Sequence, residues 1–238
     1  MALGSQPRWT VRSAATQAGI DVGLREYMLR VYNYMASGLA LTGIVAYVAA
    51  YSGFYARIAH TPLLWLVILA PLGLVMVMSY GMQRMQASTL QAVFWLYSGL
   101  MGLSLAMIFL VFTGTSIARV FFITAGTFAA MSLYGYTTQR DLTQFGSFLF
   151  MGLIGIIIAA LVNMFILSSA LQFAISVIGV IVFTGLTAWD TQKIKEMYYE
   201  GDGYEIASKK AVMGALRLYL DFINLFMMLM QLMGTRRD

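Results

Sequence analysis

Asp190 and Asp221 are the residues of this chain whose charge is hardest to explain by their surroundings. Asp190 ends an apolar run in the string Gly185-Leu-Thr-Ala-Trp-Asp-Thr-Gln-Lys-Ile-Lys195. Asp221 sits near the middle of another, in Leu218-Tyr-Leu-Asp-Phe-Ile-Asn-Leu-Phe226. An ionisable group inside a bilayer is costly and marks a functional site by default. The two runs are consecutive, and Gly201-Asp202-Gly203 is the obvious turn between them. The midpoint of the two aspartates falls at 205–206, within that loop. Antiparallel helices place residues equidistant from a turn opposite one another, so the carboxyl groups meet if both face the bundle interior. Two carboxylates in contact at low dielectric cannot both stay ionised without a cation. They share a proton and titrate as a unit. Loss of that proton leaves two charges, which separate or recruit a hard cation such as Ca²⁺. The chemistry is that of a pH-controlled latch, a cation site, or both. A plainer reading pairs Asp190 with Lys193 at the interface and Asp221 with Arg217.

Other polar residues in the apolar runs are few. Arg217 lies four residues before Asp221, one turn away on the same face, where it could neutralise the aspartate or snorkel to the cytosolic edge. Arg84 ends the second run on the same side, either as a swinging partner of the aspartates or as a topology determinant. Asn163 and Asn224 suit hydrogen bonding between helices, and Asn224, three residues after Asp221, could share its face. Gly99, Gly102, Gly152, Gly155, Gly179 and Gly185 suit close helix packing. His60 reads as a solvated histidine of the first external loop.

The elements that position these residues are membrane spans. Of 238 residues 60% are hydrophobic and only 11% charged, and the mean hydropathy is +0.77. A soluble domain carries about 25% charged residues, so the bilayer is part of the solvent here. Runs free of Asp, Glu, Lys and Arg cover Val31–Ala56, Ile58–Gln83 (apolar from Pro62), Met85–Ala118 (broken near Thr113-Gly114-Thr115) and Val120–Gln139. Leu142–Trp189 has 48 residues and divides at Ser168-Ser169 into two spans. For Asp190 to reach Asp221, the second of these continues past Trp189 as helix, with Lys193 and Lys195 snorkelling to the cytosolic surface. The last run is 211–233, interrupted by Arg217 and Asp221. A span needs about 20 apolar residues, so the chain is an all-α polytopic membrane protein with seven transmembrane helices. The β-barrel alternation is absent. Residues 1–29, with no apolar core or cleavage site, read as a cytosolic tail rather than a signal peptide. The transmembrane domain occupies 30–234 and a short tail 235–238.

Lys and Arg counts orient the bundle. The N-terminal side holds Arg8, Arg12, Arg25, Arg30, Arg84, Arg140, Lys193, Lys195, Lys209 and Lys210, ten in all; the other holds Arg57, Arg119, Arg236 and Arg237. The N-terminus is therefore expected in the cytosol and the C-terminus outside. The net charge of +5 belongs to this asymmetry rather than to a nucleic-acid partner.

Several chemistries fall away. With no Cys and one His there is no thiolate, disulfide or His/Cys zinc chemistry. For the same reason the methionines near Met227 and Met228 make a poor copper path. Intramembrane aspartic proteolysis would also use two carboxyls, but the Gly-x-Gly-Asp string of those enzymes is replaced here by Leu218-Tyr-Leu-Asp221. No histidine lies in a span to activate a serine, the last span has no Schiff-base lysine for retinal, and no P-loop or GxGxxG unit exists.

Trp189-Asp190-Thr-Gln-Lys-Ile-Lys195 and Leu218-Tyr-Leu-Asp-Phe-Ile-Asn-Leu-Phe226 resemble the two signature segments of the Bax inhibitor family, also called transmembrane Bax-inhibitor-motif proteins. Met131-Ser-Leu-Tyr-Gly-Tyr-Thr-Thr-Gln-Arg-Asp-Leu142 resembles that family's exit from span 4. The resemblance runs from about Tyr27 to Gly234 and is nearest the bacterial inner-membrane branch. It implies a central span 7 surrounded by the other six, in the cell inner membrane. It further implies a passive, pH-sensitive cation leak, principally of Ca²⁺, with Asp190 and Asp221 as a di-aspartyl sensor and an arginine from span 2, for which Arg84 is the nearest candidate. Eukaryotic relatives suppress cell death, a role that a bacterial-looking chain does not inherit literally. The expectation is a non-enzymatic conductor with membrane lipid, Ca²⁺ and H⁺ as partners, no cofactor, and no metal beyond transient Ca²⁺ at the two aspartates. The alternative is a non-conducting regulator that binds a membrane protease, a translocon or another membrane protein through its N-terminal tail.

Overall fold

The computed structural model describes residues 8–237, and side chains from Val22 onward. The described residues form eight helices in succession: α1 (Arg8–Tyr51), α2 (Phe54–Ile58), α3 (Leu63–Gly81), α4 (Ala87–Val111), α5 (Gly114–Thr137), α6 (Thr143–Ile166), α7 (Ser169–Glu196) and α8 (Tyr204–Met233). All but the single-turn α2 are long and apolar enough to cross a membrane, which gives the seven expected spans. Among the described residues there is no strand, only an isolated bridge between Phe112 and Arg236.

The span limits differ from the charge-free runs at the charged ends. The first span begins at Val22 and ends at Tyr51, with Arg25 and Arg30 inside the helix, and α1 passes the expected boundary at 29–30 without a break. The last begins at Tyr204 rather than 211. Both differences have one cause. A long basic side chain reaches the interface from within a helix, so an Arg or Lys does not end one.

The turns are set by local chemistry. Gly53 takes a left-handed φ of 73° between α1 and α2, a conformation open to glycine at little cost. The Ser168 side chain accepts the Leu171 N–H at 3.3 Å and starts α7. Just before it, Leu167 closes α6 in the left-handed region at φ 54°, where Asn163 Oδ1 takes the following N–H, that of Ser168, at 2.9 Å. Outside the spans, Asp141 Oδ1 accepts the Thr143 N–H at 2.8 Å at the start of α6, and these hydrogen bonds hold its carboxyl below the usual carboxylate range.

Pro71 lies inside α3. It has no N–H to give to the carbonyl of Val67, four residues back. In hydrocarbon that carbonyl needs another donor. Ser104 of α4 supplies it, with Oγ 2.6 Å from Val67 O. The proline and the serine thus form one device that joins α3 to α4.

The last helix lies at the centre. In α8, 67% of the most apolar window is buried, against 11% in α3. Its neighbours are α7, α1, α5 and α4; α3 packs on α4, and α6 on α7, outside this ring. Of the six other spans, four pack extensively on α8 and two stand behind them. The reason lies in the sequences of α3 and α6, which are apolar on all sides and are as stable against lipid as against protein. The core that α8 enters is aromatic: the Tyr219 ring meets those of Tyr97 and Phe94 edge to face, at 5.3 and 6.2 Å. Thr42 Oγ1 and the Tyr219 hydroxyl are 2.7 Å apart, so α1 and α8 are also joined by a polar bond.

Candidate functional site

Helices α7 and α8 pack antiparallel, and their register is fixed by contacts along their length. Lys210 Nζ donates to the Met197 carbonyl at 2.9 Å. A Cβ on Gly214 would touch Ile194 at 3.0 Å, and one on Gly179 would meet Met228 at 2.8 Å. Between these levels Arg217 Nη1 stands 3.5 Å from Asp190 Oδ1. Opposing positions therefore run 197 with 210, 194 with 214, 190 with 217 and 179 with 228. Asp221 lies four residues deeper than the partner of Asp190, about 6 Å along the helix.

The equidistance expected from the turn is corrected on this point. The helical part of α8 begins at Tyr204, so the midpoint 205–206 lies in its first turn rather than in the loop. The residue level with Asp190 is Arg217. Asp190 and Asp221 remain neighbours across this one-turn stagger, but no hydrogen bond joins their carboxyl groups among the described residues. Residues 217 and 221 share a face of α8, so both lie on the side of that helix that Asp190 approaches. Asp221 is 5% exposed, and its Oδ2 has no partner among the described residues. The Asp190 side chain is 14% exposed and that of Arg217 50%. A polar gradient results: a guanidinium near the surface, a carboxyl just below it, and a second carboxyl sealed in the core.

The plain pairings are not those found. Lys193 binds Glu196 at 2.8 Å rather than Asp190, and Arg217 pairs with Asp190 rather than Asp221. Asn224 Nδ2 donates to the Leu220 carbonyl of its own helix at 2.8 Å, so it makes no bond between helices. Asn163 Nδ2 does cross to α7, reaching Gln172 Oε1 at 3.2 Å. Arg84 lies exposed in the turn between α3 and α4 and forms no ion pair among the described residues. The structure does not bring it to the aspartates, because α3 lies outside the ring of helices around α8. His60 is exposed, as expected for a loop.

The residues flanking Asp190 explain its position. Thr191 Oγ1 and Ser132 Oγ of α5 are 2.9 Å apart, and Ser132 Oγ and the Tyr32 hydroxyl of α1 are 2.7 Å apart. Gln192 Oε1 accepts the Leu142 N–H at 2.9 Å while its Nε2 donates to the Arg140 carbonyl at 2.8 Å. Lys195 does not merely snorkel: its ammonium caps α5 by donating to the Tyr136 carbonyl at 2.8 Å. Gly135 lies directly against the Ala188 backbone and Gly146 against the Trp189 ring, each closer than a side chain would allow. These anchors on either side of Asp190 fix the rotation of α7, and so the aim of its carboxyl. Gly135 and Gly146 escaped the sequence reading. Their only signal was their place beside aromatic residues in the segment near Met131–Leu142.

Three His, Cys, Asp or Glu side chains in metal-binding proximity occur nowhere among the described residues. The two aspartates alone do not make a closed cation cage. What they can do is hold one proton between them, with Arg217 answering the remaining charge.

The family described as inhibitor of apoptosis-promoting Bax1 matches residues 24–238. A protein of Rickettsia prowazekii is 52% identical over 230 residues, 96% of this chain and 98% of that one. Inner membrane protein YbhL of Escherichia coli K12 is 51% identical over 219 residues, 90% of this chain and 94% of the relative. A membrane protein of Streptococcus pyogenes is 35% identical over 218 residues, again 90% and 94%.

Proposed function

The chain belongs to the Bax inhibitor family as a multi-pass inner-membrane protein, and from that premise we propose that it conducts cations passively under the control of the Asp190–Asp221 pair. The observation that supports this reading is a buried, unpartnered Asp221 carboxyl one turn below the Asp190–Arg217 ion pair. With one shared proton and the Arg217 charge the group is close to neutral and α7 and α8 stay joined. Without that proton two negative charges face one positive charge in a low-dielectric site, and the packing of α7 on α8 changes. Titration thereby changes the seal at the cytosolic end of the bundle. The N-terminus lies in the cytosol and the C-terminus outside. Ca²⁺ passes as a permeant ion and is held only in transit, no cofactor takes part, and the protein is not an enzyme.

The test is Ca²⁺ flux into dye-loaded proteoliposomes across a pH series. Asn resembles a protonated Asp, so Asp190→Asn and Asp221→Asn are each expected to hold the flux near the value of the unmodified protein at its acid limit. If both variants keep the unmodified pH profile, the sensor is not this pair.

A further inference from the structure

Of the four helices around α8, α1 packs on α4 and α5 packs on α7, but α1 and α5 have no extended contact with each other. Between them a groove runs along the bundle, and α8 forms its floor beyond the Arg25 end. It consists of three adjoining cavities of about 520, 560 and 470 Å³. The first and second share Met35, Ala36 and Phe128; the second and third share Gly43, Phe121 and Phe222. The walls are apolar except at one end, where the Tyr32 and Ser132 hydroxyls already bind one another at 2.7 Å.

We propose that this groove binds one anionic phospholipid from the leaflet at the Arg25 end, with an acyl chain lying between α1 and α5. The groove lies within two membrane spans, Val22–Tyr51 and Gly114–Thr137. A dry apolar cavity does not hold water, so hydrocarbon fills it. Charge at the mouth selects the headgroup. Arg25 lines one wall, and on the other the Lys195 ammonium lies 5.6 Å over the ring of Tyr136, which also lines the cavity. Arg25 in the lining, with Lys195 behind Tyr136 adding to the positive potential, suits a phosphate. The length also fits. The first cavity runs from Arg25 to Ala36, eleven residues of helix or about 16 Å, half of the roughly 30 Å hydrocarbon core, and the other two continue the groove to Val48. The first cavity alone matches the reach of a chain from one leaflet.

The test is native mass spectrometry of the full chain released from vesicles of equal phosphatidylglycerol and phosphatidylcholine. One retained phosphatidylglycerol per chain is expected. Ala36→Trp and Ala129→Trp project a ring from opposite, exposed walls and should each reduce retention at least tenfold. The exposed Arg25→Gln should retain lipid with no preference between the two headgroups. The proposal is overturned if the unmodified chain retains no lipid, or if both tryptophan variants that elute as the unmodified protein retain it equally. It is also overturned if Arg25→Gln keeps the preference. This outcome is independent of the flux profile, so either proposal can fail alone.

Discussion

Asp190 of α7 stands level with Arg217 of α8, 3.5 Å from carboxyl oxygen to guanidinium nitrogen, while Asp221 lies one turn deeper. The site is therefore a column of three groups, not a facing pair. Each member meets a different environment: half-exposed, mostly buried and sealed. Arg217 is half-exposed on one side and meets Asp190 on the other, so its charge is felt by both carboxyls.

Arg217→Gln removes the charge that favours ionised carboxyls in this column. Deprotonation then requires a more alkaline solution, so the midpoint of the flux–pH profile is expected to move to higher pH. Arg217→Lys, which keeps the charge, should restore most of the shift. The check is the same proteoliposome series; a midpoint unmoved in Arg217→Gln would detach the arginine from the sensor.

Gln192 satisfies two backbone groups of the α5–α6 connection at once, the Leu142 N–H and the Arg140 carbonyl. Gln192→Leu leaves both unpaired and should cost roughly 2 kcal/mol or more. The loop is then released, so trypsin should cut after Arg140 faster than in the unmodified protein. Gln192→Glu keeps the acceptor for Leu142 and loses the donor to Arg140, and an intermediate rate is expected. Equal cutting rates in all three would show that Gln192 does not hold the loop.

The spans were legible in the sequence because a membrane helix is a one-dimensional signal: a run of some twenty residues without charge. The two aspartates were legible for the same reason, as exceptions to that signal. Their register was not. Equidistance from a turn assumes that both helices start at the turn, whereas α7 ends at Glu196 and α8 begins at Tyr204. Four residues of offset exchanged Arg217 for Asp221 opposite Asp190. The fate of Arg84 was hidden for another reason. An arginine at a span end has the same sequence pattern whether its helix packs at the centre or, like α3, at the rim. Gln192, Gly135 and Gly146 depend on partners more than forty residues away, which no local pattern encodes.

Gly135 touches the Ala188 backbone, so a side chain there must push α5 away from α7. Gly135→Val is expected to lower the unfolding temperature strongly, by a loss on the order of 3 kcal/mol. Gly126 lies in the same helix with open space about its Cα. Gly126→Ala should be neutral or stabilising by up to about 1 kcal/mol, since alanine is the better helix former. Thermal unfolding in one detergent compares the two. Equal losses would place the cost in helix propensity rather than in the contact.

The link between Pro71 and Ser104 can be isolated by a double-mutant cycle. Ser104→Ala removes the hydroxyl that satisfies the Val67 carbonyl and should cost about 1 kcal/mol, the penalty for an unpaired buried acceptor. Pro71→Ala supplies the missing N–H from within α3, so the helix can close its own bond to Val67. In the Pro71→Ala background the serine is no longer needed, and Ser104→Ala should then cost a few tenths of a kcal/mol at most. The coupling between the two positions, read from unfolding in detergent, is expected near 1 kcal/mol. Additive losses would mean that Val67 finds its donor elsewhere and that Ser104 joins α3 to α4 by packing alone.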